Sequence, residues 1–185
     1  MQLSAKMKEI VDAISENRAM LMREVAGLDP SQVDYKPTED HWAICDVLHH
    51  LTLADEANVK LFSLMASQAR ERNLPADPSP DESVLRCLDQ IIETASNTRA
   101  RAPERVAPRS HLAPEAAIAR LRAAREKLLE LIGQLSGYDL TNLTFPHPFF
   151  KDLNAYQWLL LAGWHEKRHI DQIGRIKSNP GFPSS

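Results

Sequence analysis

Several features that would each point to a particular class of protein are scarce in this sequence. Its 185 residues include two cysteines and 6% aromatic side chains, and the formal net charge is only -3. The two cysteines, Cys45 and Cys87, form no CxxC pair and no disulfide framework, so we expect each to be a small buried apolar residue in a reducing compartment. The nearly balanced charge gives no general electrostatic reason to bind nucleic acid.

Long apolar runs are also missing. No stretch approaches the roughly 20 consecutive apolar residues that span a bilayer. The chain begins with MQLSAKMKEIVDAI, an amphipathic pattern that contains acidic residues and is unlike a signal peptide. We therefore expect a cytoplasmic protein with no membrane partner.

Positive charge is concentrated in one region, between Arg99 and Arg125. Seven arginines and two glutamates lie there, which is a local excess of five positive charges. No aromatic residues are interleaved to stack on bases. We expect a solvated face or a loop that pairs with acids elsewhere, and no nucleic-acid partner.

Apolar residues recur at helical spacing in four long segments, and no segment shows the sustained period-two alternation of a strand. The pattern predicts helices over residues 3–26, 40–70, 114–135 and 155–176. Asn154 is the expected N-cap of the last one. An all-α fold follows.

The connection between the second and third predicted helices, residues 71–114, is long and rich in proline, with a shorter helical piece at 83–96. Its length suits a crossover between bundle helices. The sequence therefore predicts a four-helix bundle with a long crossover between helices two and three. We expect residues 1–177 to form a single domain and residues 178–185 a flexible tail.

Two histidines, His165 and His169, stand one turn apart in the last predicted helix. At about 100° per residue both project from its apolar face, together with Gln172, whereas Lys167 and Asp171 point toward solvent. The apolar members of that face are Trp158, Leu161, Ala162 and Ile176. Side chains one turn apart can bind the same metal ion.

The second predicted helix contains DVLHHL, and the helical wheel separates its two histidines. His50 lies on the apolar side, and His49 faces the rim. Asp46 lies one turn before His50 and can orient its ring or contact a ligand. If the second and fourth helices are neighbours, His50, His165 and His169 converge. Three neutral imidazoles suit zinc, nickel, copper or iron and leave coordination positions open, as in catalytic sites. The alternative is that they are hydrogen-bonded core residues.

Three stretches, WAICDVLHHL, HPFFKDLNAYQW and HEKRHIDQI, resemble the DinB-like superfamily of bacterial four-helix bundles. The resemblance covers nearly the full chain and implies an up-down-down-up connection and a homodimer. It also implies a mononuclear metal site formed by three histidines, which correspond to His50, His165 and His169. Some members are metal-dependent thiol transferases that use bacillithiol, mycothiol or glutathione, and others have no known activity. One departure is Lys151, where similar HPFFG loops have glycine.

We therefore predict a metal-dependent thiol S-transferase, with nickel or zinc as the expected metal and Asp46 or Gln172 as supporting residues. Its partners would be a small thiol and an electrophile. Two alternatives stay open: a non-enzymatic metal- or ligand-binding stress protein, and a ferritin-like di-iron carboxylate protein, for which Glu166-x-x-His169 offers one motif.

Some residues are assigned packing roles. We interpret His147 as a loop residue remote from the histidines of the last helix, and Trp42 and Trp158 as core anchors. Apolar residues of the third predicted helix can serve the core or a dimer contact. They are Leu121, Leu128 and Ile132.

Overall fold

The structure, a computed structural model, describes residues 3–85 and 102–184. Its elements are α1 (Ala5–Val25), α2 (Pro30–Val33), α3 (Ile44–Glu71), the 3₁₀ turn η1 (Glu104–Val106), α4 (Pro114–Leu135), β1 (Thr144–His147), β2 (Lys151–Asn154) and α5 (Ala155–Lys177). Cys87 and most of the helical piece predicted at 83–96 lie outside these ranges. Among the described helices, none is both long and apolar enough to cross a membrane.

Local capping contacts fix where two of the long helices begin. Asn154 caps α5, because its side chain accepts a hydrogen bond from the Gln157 backbone N–H and its own N–H donates to Gln157 Oε1, both at 2.9 Å. The start of α3 was predicted about four residues too early. It begins at Ile44 because the Asp46 carboxylate accepts from the Ala43 N–H at 3.0 Å and fixes the first turn there.

Helices α1 and α5 lie side by side and run in the same direction. Asn17 donates a hydrogen bond to the Gly163 carbonyl at 3.0 Å, and further along both helices Lys177 pairs with Glu24. A Cβ at Gly163 would lie 2.7 Å from Ile14 Cγ2, so glycine permits this close approach.

Helices α3 and α4 form the second parallel pair. Arg120 contacts Glu56 near the start of the shared interface, and Arg70 donates to Gln134 near its end. The long crossover places α4 alongside α3 in the same direction, as a parallel pair requires.

The two pairs run in opposite directions. Arg18 on α1 donates to the Leu121 carbonyl, and Arg125, further along α4, donates to the Ile14 carbonyl, earlier on α1. Together these contacts give the order up, down, down, up for the four long helices, which confirms the predicted four-helix bundle.

A short β-hairpin precedes α5, so the prediction of no strands was wrong. Strands β1 and β2 pair antiparallel over four residues each, which is too short for period-two alternation to be visible in the sequence. Trp158 on α5 donates to the Phe145 carbonyl at 3.2 Å and holds the hairpin against the bundle. The hairpin turn ends at Lys151, whose φ of 60° is the left-handed conformation that glycine adopts without strain.

Two large apolar clusters form most of the core, one around Phe62, Leu128 and Leu159 and the other around Leu48 and Leu121, and a small third cluster contains Cys45. Three α4 side chains that were also considered for a dimer contact are buried in this core, which excludes them from an exposed dimer face. They are Leu121, Leu128 and Ile132. Cys45 is a buried free cysteine, as predicted.

The residues after α5 contact α2 and the residues that follow it. The Phe182 ring packs edge-on against Tyr35 with 5.5 Å between centroids, and Gln32 donates to the Pro183 carbonyl at 3.1 Å. These contacts describe where the segment lies, and its predicted flexibility stays a prediction.

Candidate metal centre

Three histidines from two helices meet in the interior of the bundle. His50 on α3 has its Nε2 atom 3.1 Å from Nε2 of His165 on α5, and the Nε2 of His169 lies 3.2 Å from the same atom. His50 and His169 are buried, and His165 keeps partial exposure. The structure therefore brings together the three residues predicted as metal ligands.

The ring orientations of two of these histidines are fixed from behind. His50 Nδ1 lies 2.7 Å from the Val106 carbonyl oxygen, and His169 Nδ1 lies 2.7 Å from Gln172 Oε1. Because each partner is an acceptor, each Nδ1 carries the proton and donates. Both Nε2 atoms consequently present a lone pair toward His165, which is the tautomer that a metal ligand requires.

This donor set fits a bound metal ion. Ligand nitrogens about 2.0–2.1 Å from one tetrahedral zinc ion lie about 3.3 Å apart, close to the separations between these Nε2 atoms. The Nε2 lone pairs of His50 and His169 both point at Nε2 of His165, which can donate only one proton and so can satisfy only one of them. A cation at this position can bind all three Nε2 atoms. The residues that would hold the ion are His50, His165 and His169.

The surroundings favour the neutral, ligand form of all three rings. Burial lowers the pKa of His50 and lowers that of His165 further, and burial together with the neighbouring His50 lowers the pKa of His169 to about 3. The positive charge of Arg168 acts in the same direction on each ring. Protons therefore do not compete with a metal for these nitrogens near neutral pH.

The two predicted supporting residues occupy different places. Gln172 contacts His169 directly. Asp46 instead accepts from the Ala43 N–H and pairs with Lys36 at 3.2 Å. Asp46 lies one turn from His50, but its carboxylate is bound to the backbone N–H at the start of α3. The Val106 carbonyl, and not Asp46, orients the His50 ring.

The three imidazoles line an open cleft of about 1090 Å³. Trp42, which was assigned to the core, also lines it and stacks on His169 with 6.2 Å between centroids and an interplanar angle of 19°. Charged side chains around the cleft are Asp40, Arg105, Arg168 and Arg175. Without the histidines, the formal charge of this lining is +2.

His147 also faces this cleft, contrary to the loop interpretation. Its ring packs 4.7 Å from that of Trp158 and 4.6 Å from that of Phe150, between centroids. His147 is far from His165 in sequence, but the hairpin folds back against the first turn of α5 and brings it to the cleft. Burial, with the charge of Arg105, lowers the pKa of His147 to about 4. Its Nδ1 accepts from the Phe149 N–H, so the neutral ring carries its proton at Nε2.

A buried cluster of four charged residues lies next to the histidines and was missed from the sequence. Arg18 contacts both Asp55 and Glu166, and Arg125 donates to Glu166 at 2.8 Å. All four are less than 10% exposed. Burial raises the pKa of Glu166, and the charges of Arg125 and Arg18 oppose that shift. An arginine within the apolar stripe of α1 is the sequence signal that points to such a cluster.

The dinuclear carboxylate alternative lacks its ligands among the described residues. Both oxygens of Glu166 accept hydrogen bonds from arginines, Oε1 from Arg18 and Oε2 from Arg125, so neither is offered to a metal ion. His49 is buried beneath the crossover segment instead of reaching the rim, and its Nδ1 lies 3.0 Å from the Ser110 carbonyl oxygen. The geometry thus supplies one mononuclear histidine site here.

Comparisons with known proteins agree with this architecture. The uncharacterized protein YuaE of Bacillus subtilis (strain 168) is 28% identical over 164 residues, which cover 88% of this chain and 94% of YuaE. The four-helix bundle protein TT2238 superposes with a TM-score of 0.62 at 22% identity, over 91% of this chain and 98% of that one. YfiT from Bacillus subtilis, described as a probable metal-dependent hydrolase with an unusual four-helix bundle topology, gives 0.63 at 18% identity, over 99% and 92% of the two chains.

The two structural likenesses establish the fold. The family model of the DinB superfamily matches residues 13–173, a span that contains all three histidines of the site. Since this match covers most of the chain, the protein belongs to the DinB superfamily.

Proposed function

We propose that this protein binds one divalent metal ion through His50, His165 and His169 and transfers a low-molecular-weight thiol to an electrophile. The observation that carries the proposal is the convergence of three Nε2 atoms, 3.1 and 3.2 Å apart, on an open cleft. Nickel and zinc both suit three neutral imidazoles. An open face at a three-histidine site is typical of catalytic centres.

A bound divalent ion would supply Lewis acidity that lowers the pKa of a thiol or of water. The chain's own residues prepare the site for it. Val106 and Gln172 hold the His50 and His169 rings in one tautomer. Trp42 covers two of the imidazoles and limits access of water from its side. His147 holds a proton at Nε2 on the cleft wall, where it can donate a hydrogen bond to a substrate.

The charge of the cleft favours an anionic thiol. Arg105, Arg168 and Arg175 line it, against the single carboxylate of Asp40. Bacillithiol, mycothiol and glutathione are the thiols that the family resemblance suggests, and a carboxylate-bearing thiol matches this lining best. Guanidinium groups bind carboxylates in a bidentate manner and so can orient the thiol as well as attract it.

Hydrolysis is a second candidate function. Its support is the likeness to YfiT, which is described as a probable metal-dependent hydrolase. The same Lewis acidity would then act on water. The non-enzymatic metal- or ligand-binding protein remains the third candidate, since the cleft alone names no substrate.

The experiment is a thiol and electrophile screen with zinc-loaded and nickel-loaded protein. Each of the three thiols is mixed with an alkylating electrophile, and the S-conjugate is measured by mass spectrometry. Conjugate formed in a metal-dependent manner, and lost in His165→Ala, supports the transferase. Ester or amide cleavage without added thiol supports the hydrolase instead. Bound metal with neither activity supports the binding protein.

The thiol-binding arginines have a matched control. Arg168→Gln should raise KM for an anionic thiol by about 10-fold or more, because a hydrogen bond to a charged group contributes about 1.5–3 kcal/mol. Arg122 is exposed and lies outside the cleft. Arg122→Gln should therefore leave KM unchanged, and equal effects of the two variants would contradict the proposed orientation of the thiol.

A further inference from the structure

A second group of metal-ligating side chains lies apart from the three histidines. Within residues 3–85 and 102–184, Asp34, Cys45 and His111 place their ligand atoms within 4.8 Å of one another. They come from three separate segments: the residue after α2, the second residue of α3 and the stretch before α4. Sulfur, nitrogen and oxygen donors in one place form the kind of ligand set that zinc accepts.

Cys45 is the buried member of this group. Its side chain is 6% exposed and hydrogen-bonds to Asp34. Burial, that hydrogen bond and the charges of Asp46 and Asp34 raise the thiol pKa to about 12. A cation placed between the thiol and the carboxylate of Asp34 would reverse this balance, since a coordinating thiol loses its proton.

The other two members are accessible and already adjacent. His111 Nε2 lies 3.3 Å from Asp34 Oδ1, and both side chains are more than half exposed. Sulfur and nitrogen ligands of one tetrahedral zinc ion lie about 3.5 Å apart. Because all three ligand atoms already lie within 4.8 Å of one another, small side-chain movements bring them to this spacing. Exposed side chains can rotate to do this, whereas Cys45 is fixed by the helix.

We propose that Asp34, Cys45 and His111 form a second metal site, of the zinc class, that fastens the crossover segment to the bundle. Binding forms a bond from Cys45 Sγ to the ion and releases the thiol proton to solvent, with no change of oxidation state. Solvent completes the coordination on the exposed side of Asp34 and His111.

The fastened segment contacts the first site directly. The Val106 carbonyl accepts from His50 Nδ1, and the Ser110 carbonyl lies 3.0 Å from His49 Nδ1. His111 follows immediately, and Leu112 packs against the apolar cluster around Leu48. A metal ion at His111 would therefore hold in place the carbonyl that orients His50.

Cobalt(II) titration of the full chain, with a phosphine reductant in place of thiols, tests this site. Coordination by Cys45 produces a thiolate-to-cobalt charge-transfer band, which the three-histidine site cannot produce because it contains no sulfur. We expect the band in the native protein and in the His165→Ala, His169→Ala variant, and its loss in Cys45→Ser. Its absence from the native protein would overturn the proposal, whatever the first site binds.

Three further variants make the result specific. Cys87→Ser is the matched thiol control and should retain the charge-transfer band. If the band is instead lost in Cys87→Ser and retained in Cys45→Ser, Cys45 is not the sulfur ligand. His111→Asn and Asp34→Asn change exposed residues and should preserve the fold. Each should weaken cobalt binding at least about 10-fold, because even loss of a residue that only supports a ligand costs 10–100-fold. Unchanged affinity in both would also overturn the site.

Hydrogen exchange tests the fastening separately. In the His165→Ala, His169→Ala variant, zinc should slow amide exchange in residues 104–112. The same addition should have no effect when Cys45→Ser is also present. If zinc leaves exchange unchanged in the His165→Ala, His169→Ala variant although the thiolate band is present, the ion binds without fastening the segment. That result would overturn this part of the proposal.

Discussion

Arg18 on α1 and Glu166 on α5 form a buried ion pair in which Nε lies 2.5 Å from Oε1. Glu166 follows His165 directly in the chain, so this pair fixes the rotation of α5 at the point where it presents a histidine to the cleft. Arg125 and Asp55 complete the cluster. The charged groups therefore form a buried, ion-paired cluster beside the candidate metal centre.

Removing one member of this cluster should be costly. Arg18→Met leaves Glu166 and Asp55 buried with a single arginine, and the free energy of unfolding should fall by about 3–5 kcal/mol. The exposed pair Arg120–Glu56 is the control, since Glu56→Gln should cost less than about 1 kcal/mol. Urea unfolding measures the free energy of unfolding of both variants. Similar losses in the two would show that burial does not increase the contribution of the cluster to stability.

Gln172 and Asp46 were equivalent candidates in the sequence, and the structure makes opposite predictions for them. Gln172→Leu removes the acceptor for His169 Nδ1–H and should weaken metal binding about 10–100-fold, while Gln172→Glu keeps an acceptor and should bind well. Competitive titration with a chelating dye gives these affinities. Equal affinities for the native and Gln172→Leu proteins would refute the orienting role.

Asp46→Ala should act on stability alone. The carboxylate caps the first turn of α3, so its loss should lower the free energy of unfolding by about 1 kcal/mol. Metal affinity should stay unchanged, because the Val106 carbonyl orients His50. A large loss of affinity in a folded Asp46→Ala protein would reinstate Asp46 at the site.

Lys151 is expected to strain the hairpin turn. Its φ of 60° disfavours a side chain, so Lys151→Gly should raise the free energy of unfolding by up to about 1 kcal/mol after the extra flexibility of glycine in the unfolded chain is allowed for. Gly137, at φ 96°, is the reciprocal test, since Gly137→Ala should destabilise. If Lys151→Gly proves destabilising, the turn in solution differs from the one described.

Asp77 should make stability depend on pH. Burial alone would raise its pKa, but hydrogen bonds from Lys6, Ser79 and Tyr156 outweigh that and lower it. A lowered carboxyl pKa contributes stability that is present above the unfolded value near 4 and is lost as the pH falls through the folded pKa. The stability difference between the native protein and Asp77→Asn should therefore shrink below about pH 4. A difference that is constant from pH 7 to pH 3 would contradict this.

The sequence predicts the helices and the three histidines well because both depend on local periodicity. The phase of α5 alone places His165 and His169 on one face, and the phase of α3 adds His50 as the third member, which the resemblance also implies. The partners that fix the rings were harder to predict. The Val106 carbonyl comes from the crossover, whose path no periodicity describes, and Asp46 could not be assigned because a carboxylate near a helix start can cap it or face a neighbour. His147 was misplaced because four-residue strands leave no alternation to detect.

Metal content by mass spectrometry tests the central claim most directly. Native protein is compared with the His165→Ala, His169→Ala variant and with Lys167→Ala, Asp171→Ala, which removes an exposed ion pair from the same helix. We expect the histidine variant to contain one divalent ion per chain fewer than the native protein, and the control variant to match the native protein. Equal metal content in all three, after reloading with zinc and nickel, would mean that the histidines are core residues and that the metal-dependent function is wrong.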